Sequence, residues 1–148
     1  MSNPSEPTFE TTCLVRDTCL CLHLQRAARA VARRFDTAFR RLDLTNGQFS
    51  LLMSLNRPDQ ASMRGVANLL AMDRTTLTAA LKPLERRGLV TVAVDPTDRR
   101  GRRLMLTPQG RDLLAEAVPI WQREHAALDV GFAPDGPERL RADLRALS

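Results

Sequence analysis

A chain of 148 residues can bury one genuine core with helical appendages, and its formal charge of +5 points toward an anionic partner such as nucleic acid. Twenty-one of the 22 basic residues are arginine, Lys82 being the single lysine. No apolar run approaches the roughly 20 residues needed to span a bilayer, and the opening MSNPSEPTFETT lacks the basic and apolar regions of a secretory signal. No membrane partner and a cytoplasmic location are therefore expected. In that setting Cys13, Cys19 and Cys21 read as thiols rather than as a disulfide framework.

In chain order, residues 1–12 are polar and proline-bearing and read as a flexible N-terminus. Residues 16–42 form a long helical pattern, with Leu20, Leu24, Ala27, Val31, Phe35, Ala38 and Leu42 spaced by three and four. Thr45 and Gln48 make a capping box that opens a second helix, with Phe49, Leu52, Met53 and Leu55 inward. After the break at Asn56-Arg57-Pro58-Asp59, Ser62 caps a short helix packed through Val66, Leu69 and Leu70. A tight turn at Ala71-Met72-Asp73 leads to a helix capped by Asp73 and ended by Gly88. Leu77, Ala80, Leu81 and Leu84 face its core side, and Pro83 should bend it. Residues 89–94 and 103–107 are strand-like and flank a polar tip at Asp95-Pro96 and Gly101, the pattern of a β-hairpin. Thr107-Pro108 starts a helix to about Val130, which Pro119 should kink, and a last amphipathic helix covers 138–147.

Two short helices joined by a tight turn, then a hairpin, then a helix start give a mainly α fold with a small β-wing, the order of a winged helix-turn-helix. Arg99, Arg100, Arg102 and Arg103 crowd the hairpin, a costly arrangement unless something anionic lies against it. Guanidinium matches phosphate bidentately, so double-stranded DNA is the expected partner. Arg74, Thr75, Thr76 and Thr78, in the first turn and a half of the expected recognition helix's polar face, are candidate base or backbone contacts, with Arg74 able to take a guanine. Lys82, Ser62 and Arg64 are candidate phosphate contacts. Arg100 is the candidate to enter a minor groove, while Arg99, Arg102 and Arg103 would track phosphates. Asp98 would repel DNA and is read instead as an internal partner holding the wing.

The segment 69–90 and the run Asp98-Arg99-Arg100-Gly101, followed by Leu106-Thr107-Pro108-Gln109-Gly110, resemble the MarR family of bacterial transcriptional regulators. An acidic residue, an arginine, and then Leu-Thr-x-x-Gly form that family's wing signature, and Arg86-Arg87-Gly88-Leu89 before a basic wing is also similar. The resemblance implies a single domain over 13–148, with the winged helix-turn-helix at 45–107 and dimerisation helices at 13–44 and 108–148. It further implies an obligate homodimer on a pseudo-palindromic operator, usually a repressor released by a small ligand or thiol oxidation. The residues support a dimer separately, since the apolar stripes of the first helix and of the helix from Thr107 are too long for one small domain to cover.

Cys21 falls where the organic-hydroperoxide-sensing branch of this family carries its reactive cysteine, so Cys21, Cys19 and Cys13 are candidate redox sensors. That branch surrounds the sulfur with tyrosine hydroxyls. This chain has no tyrosine, and Gln25 and Phe35 stand where phenols would be expected. An inert packed thiol is the plain alternative. Cys19 and Cys21, two apart on one helix, would point roughly 200° from each other and could not readily share a disulfide or a metal site while that helix stays intact. Cys13 with Cys19, or a pair across the dimer, is the better match. Other effectors are an aromatic acid paired by Arg29, Arg33 or His23, or a thiophilic ion or arsenical held by soft thiolates. No Gly-rich phosphate loop, HExxH or GxSxG occurs, and His23 and His125 lie far apart, so neither catalysis nor a cofactor is expected.

Overall fold

The computed structural model describes residues 6–148, so residues 1–5 of the expected N-terminal tail lie outside the described part. The chain divides into two compact units, Met1–Arg34 and Phe35–Ser148. In the first, the expected helical pattern begins earlier and is interrupted. Helix α1 (Phe9–Thr18) is capped by Thr8, whose hydroxyl accepts the Thr11 N–H at 3.2 Å, so Phe9 to Thr12 are helical rather than loose. Cys19 then leaves the helix in an extended conformation, and α2 (Leu20–Phe39) starts afresh. The Cys19 carbonyl accepts from the His23 amide at 3.2 Å and from His23 Nδ1–H at 2.8 Å, which stabilises the restart. Because Cys19 is not helical, the intact helix that would hold Cys19 and Cys21 apart is absent.

The second unit is built on a continuous apolar core. Phe39 stacks on Phe49 with centroids 4.8 Å apart, and Leu51, Leu52, Leu77, Leu81, Leu84 and Leu104 are fully buried with it. A 3-10 turn, Arg40–Leu42, ends with Asp43 at φ 50°, and the capping box then opens α3 (Asn46–Ser54). The Thr45 hydroxyl accepts from the Gln48 amide at 3.1 Å, and Gln48 Oε1 accepts from the Thr45 amide at 3.0 Å. Leu51 is buried in α3, whereas Met53, expected inward, is 39% exposed. In α4 (Met63–Leu69), Val66 is buried but Leu69 is 70% exposed, again contrary to the pattern. Both lie on a surface groove described below. The turn into α5 (Arg74–Arg86) places Ala71 at φ 51°, a left-handed conformation that costs a non-glycine residue about 1 kcal/mol.

Helix α5 runs through Pro83 to Arg86, and Leu84 beyond the proline is fully buried. Gly88, at φ 70°, closes it: Gly88 N–H bonds the Glu85 carbonyl and Leu89 N–H bonds the Leu84 carbonyl, both at 2.9 Å. Strands β2 (Val90–Val94) and β3 (Arg102–Leu106) pair antiparallel with Val92 opposite Leu104. A third strand too short to show a period, β1 (Ala61–Ser62), pairs with β3, giving the order β1-β3-β2. Helices α6 (Pro108–Asp129) and α7 (Gly136–Ala146) complete the chain.

One junction holds these parts in place. Thr107 Oγ1–H donates to the Gly88 carbonyl at 2.6 Å, and the same oxygen accepts the Gly110 amide at 3.0 Å. The Thr107 amide donates to Leu89 O at 3.1 Å. Gly110 therefore lies against the Leu89 carbonyl so closely that a Cβ there would collide with backbone. The two glycines and the threonine join the end of α5, the start of β2 and the start of α6. We expect Gly110→Ala to cost about 1–3 kcal/mol and to lower Tm by several degrees. Gly47→Ala, where a Cβ meets open space, should leave Tm unchanged or raise it in the same thermal scan.

Candidate nucleic-acid interface

Three elements converge on one cleft of about 560 Å3 in the second unit, lined by Ser62, Arg64 and Asn68 of the α4 region, Arg74 of α5, and Asp98, Arg100 and Arg102 of the wing. A smaller hollow of about 220 Å3 joins Arg74, Thr78, Lys82 and Arg102 along α5. Of the expected contact residues, Arg64, Arg74, Thr75, Thr76, Thr78, Lys82, Arg99 and Arg100 are exposed, and Ser62 and Arg102 are half-buried.

Local bonding sorts these residues more finely than the sequence does. Asp73 caps α5 through both carboxylate oxygens, one accepting the Thr76 amide and the other the Thr76 hydroxyl, each at 2.7 Å. These bonds hold the Asp73 carboxyl below its usual titration range, the Thr76 amide being the main cause. The Thr78 hydroxyl donates back to the Arg74 carbonyl at 2.8 Å. Thr76 and Thr78 thus spend hydroxyl protons within the helix, and both are exposed, as is Thr75. The Ser62 oxygen caps α4 by accepting the Gly65 amide at 3.0 Å.

In the wing, two of the four arginines are engaged internally. Arg103 Nε meets Asp95 Oδ2 at 2.9 Å, the aspartate side chain being only 10% exposed. Asp95 Oδ1 also accepts the Thr97 amide at 2.9 Å and the Thr97 hydroxyl at 2.8 Å. Arg102 Nη1 donates to the carbonyls of Arg99 at 3.2 Å and Gly101 at 2.9 Å. Arg103 is therefore engaged as a strut within the wing, and Arg102 is directed at the tip backbone. Asp98 bonds the backbone of the wing tip: its Oδ1 accepts the Arg100 amide at 3.0 Å and its carbonyl accepts the Gly101 amide at 2.9 Å. The arginine-holding carboxylate is Asp95, which sequence reasoning missed. The side chains of Arg99 and Arg100 extend from the tip, both exposed.

Arg87 was visible only as part of a motif. Its guanidinium bonds the carbonyls of Asp43 at 2.5 Å and Leu42 at 3.2 Å, tying the end of α5 to the turn before α3.

A helix-turn-helix, a three-stranded sheet with a basic wing, and a flanking helix locked to both define a winged-helix DNA-binding domain. The profile of the MarR family matches residues 42–101. The chain is 37% identical to the M. tuberculosis transcriptional regulator MosR in its crystal structure with DNA, with a TM-score of 0.79 over 87% of this chain and 92% of that one. It is 34% identical over 97 residues to the HTH-type regulator TtmR of Methylorubrum extorquens, covering 66% of this chain and half the length of TtmR. It is 29% identical over 101 residues to the organic hydroperoxide resistance transcriptional regulator of Bacillus subtilis, covering 68% of this chain and 69% of that protein. The chain belongs to the MarR family, whose members are transcriptional regulators and not enzymes.

Asp95 carries a pH-dependent contribution. The Thr97 amide and hydroxyl, and then the Arg103 guanidinium, hold its carboxyl below the usual aspartate range. A depressed folded-state pKa contributes stability above the unfolded value of about 3.9 and loses it as pH falls through the folded one. The difference in Tm between wild type and Asp95→Asn should be full at pH 6 and shrink as pH falls below the unfolded aspartate value of about 3.9. Thermal scans across that range check it.

Proposed function

We propose that the protein is a homodimeric repressor that docks α5 in the major groove and the β2–β3 wing in the flanking minor groove of a pseudo-palindromic operator, and that oxidation or electrophilic modification of its N-terminal thiols releases it. The observation that carries the DNA-binding reading is the cleft into which α4, α5 and the wing together present Arg64, Arg74, Arg100 and Arg102. Arg100 enters the minor groove, and Arg64, Lys82 and Arg99 contact phosphates. Dimerisation is supported by the apolar side chains left exposed: Phe9, Leu14, Val15 and Leu20 in the first unit, and Phe132, Leu140, Leu144 and Leu147 in the second. No helix of the described residues is long and apolar enough to cross a membrane, in keeping with a protein that works on DNA in the cytoplasm.

The thiol reading is supported by Cys21, which is exposed and receives a hydrogen bond from Gln25 Nε2 at 3.4 Å, and by half-buried Cys13 and Cys19. The amide of Gln25 thus faces the sulfur from a position where the resemblance implied a phenol. Similarity to an organic hydroperoxide resistance regulator lends further support. A second reading, release by a small aromatic acid, is favoured by a groove of about 400 Å3 lined by Phe49, Met53, Leu69, Val118 and Trp121. Trp121 lies 6.4 Å from the Phe49 ring and 4.8 Å from His125, centroid to centroid, a platform on which an aromatic ring could stack. Among the described residues no group of three or more His, Cys, Asp or Glu is gathered as a metal ion would require, so a thiophilic ion draws no support from a single chain.

Three phosphate-contacting side chains per protomer make about six per dimer, so log Kd against log salt should have a slope near 5 in magnitude. A gel shift on the upstream DNA of its own gene tests release. Reduced protein should bind, protein treated with organic hydroperoxide or quinone should not, thiol should restore binding, and Cys21→Ser should ignore the oxidant. Binding that survives oxidant in the wild type would overturn the thiol reading and leave the aromatic acid.

A further inference from the structure

Within the DNA-binding reading just proposed, the geometry points to Arg74 as a positioning residue, a strut from the recognition helix that sets how the wing presents Arg100, rather than as a reader of bases. Arg74 is the first residue of α5, and its Nη2 donates to the backbone carbonyl of Arg100 at 2.7 Å, across 26 positions of sequence. The Arg100 amide is already held by Asp98. Both backbone polar groups of the residue that carries the minor-groove side chain are therefore fixed, one from inside the wing and one from α5.

The flanking carbonyls are handled the same way. Arg102 takes those of Arg99 and Gly101, so three consecutive tip carbonyls each face a guanidinium. Carbonyl oxygens carry the negative end of the peptide dipole and would repel an approaching phosphate. Covering them with cations reverses the local field. The base of the strut is itself rigid, because Asp73 caps α5 at the residue before. With Nη2 committed to the wing, the paired donors that a guanine edge requires are no longer free on that nitrogen's side. The helix in one groove and the arginine in the next are thereby held at a set distance by one hydrogen bond.

A double-mutant cycle on a duplex selected from random sequence by the wild-type protein tests this. Kd would be measured by fluorescence anisotropy for wild type, Arg74→Ala, Arg100→Ala and the double variant, with Tm recorded to exclude unfolding. Each single change should weaken binding by roughly ten- to a hundredfold. The double variant should be no worse than Arg100→Ala within about twofold, because the strut has nothing left to position. On a duplex shortened to remove the wing-facing flanks, Arg74→Ala should lose no more than about twofold. Losses that multiply in the double variant, or a loss from Arg74→Ala that persists on the shortened duplex and is matched by replacing one guanine with 7-deazaguanine, would make Arg74 a base reader and overturn the strut. Failure of the wild type to select any duplex would instead overturn the DNA-binding reading, and the strut with it.

Discussion

Like charges crowded on one hairpin repel, by about 1 kcal/mol per pair at 4 Å in water and several times that where the dielectric falls. The wing of this protein exists because that repulsion is absorbed locally. Arg103 is neutralised by Asp95, and Arg102 is turned onto tip carbonyls. These engagements consume two of the four guanidiniums and rigidify the backbone, and the other two extend outward. Arg102 and Arg103 thus shape the wing, and Arg102 also lines the cleft beside Arg100.

The rest of the second unit exists to hold that wing against α5. Gly88 reverses the chain at the end of the helix, Thr107 bonds both the Gly88 carbonyl and the Gly110 amide, and Gly110 admits the Leu89 backbone at close range. Arg87 anchors the same helix end to the turn at Asp43. Beneath them the aromatic series Phe35, Phe39, Phe49 and Trp121 ties α6 to the helices before it. The position of the wing relative to the recognition helix is consequently set by close packing and by side-chain bonds to backbone groups, those of Thr107 and Arg87 at the helix end and that of Arg74 at the wing tip.

Much of this was legible in the sequence because caps and turns are local. Thr45 with Gln48, Ser62, Asp73, Gly88 and Thr107 each announce an element boundary within four residues, and each does so in the structure. The basic residues of the cleft were legible too, since basic side chains on a hairpin and a polar helix have few other uses, but Asn68 and Asp95 beside them were not. What was hidden depends on distance in sequence or on weak local signals. The break at Cys19 has no Gly or Pro to mark it, and the apolar spacing from Leu20 to Phe35 begins only just after it. Strand β1 is two residues long, and its pairing with Leu104 and Arg103 is wholly tertiary. The Asp95–Arg103 pair depends on hairpin register, and the Arg74 bond to Arg100 spans a strand, a turn and most of a helix. Met53 and Leu69 read as core because their spacing is apolar, yet they border a groove that only the packing of α3, α4 and α6 creates.

The central claim is that one helix and one arginine-bearing wing engage adjacent grooves of the same duplex. Hydroxyl-radical footprinting of the reduced protein on a selected operator tests it most directly. The account predicts two protected segments per half-site, related by twofold symmetry, with Arg100→Ala erasing the outer minor-groove protection and sparing the inner one. Protection that is uniform along the duplex, or that is unchanged by Arg100→Ala, would contradict it.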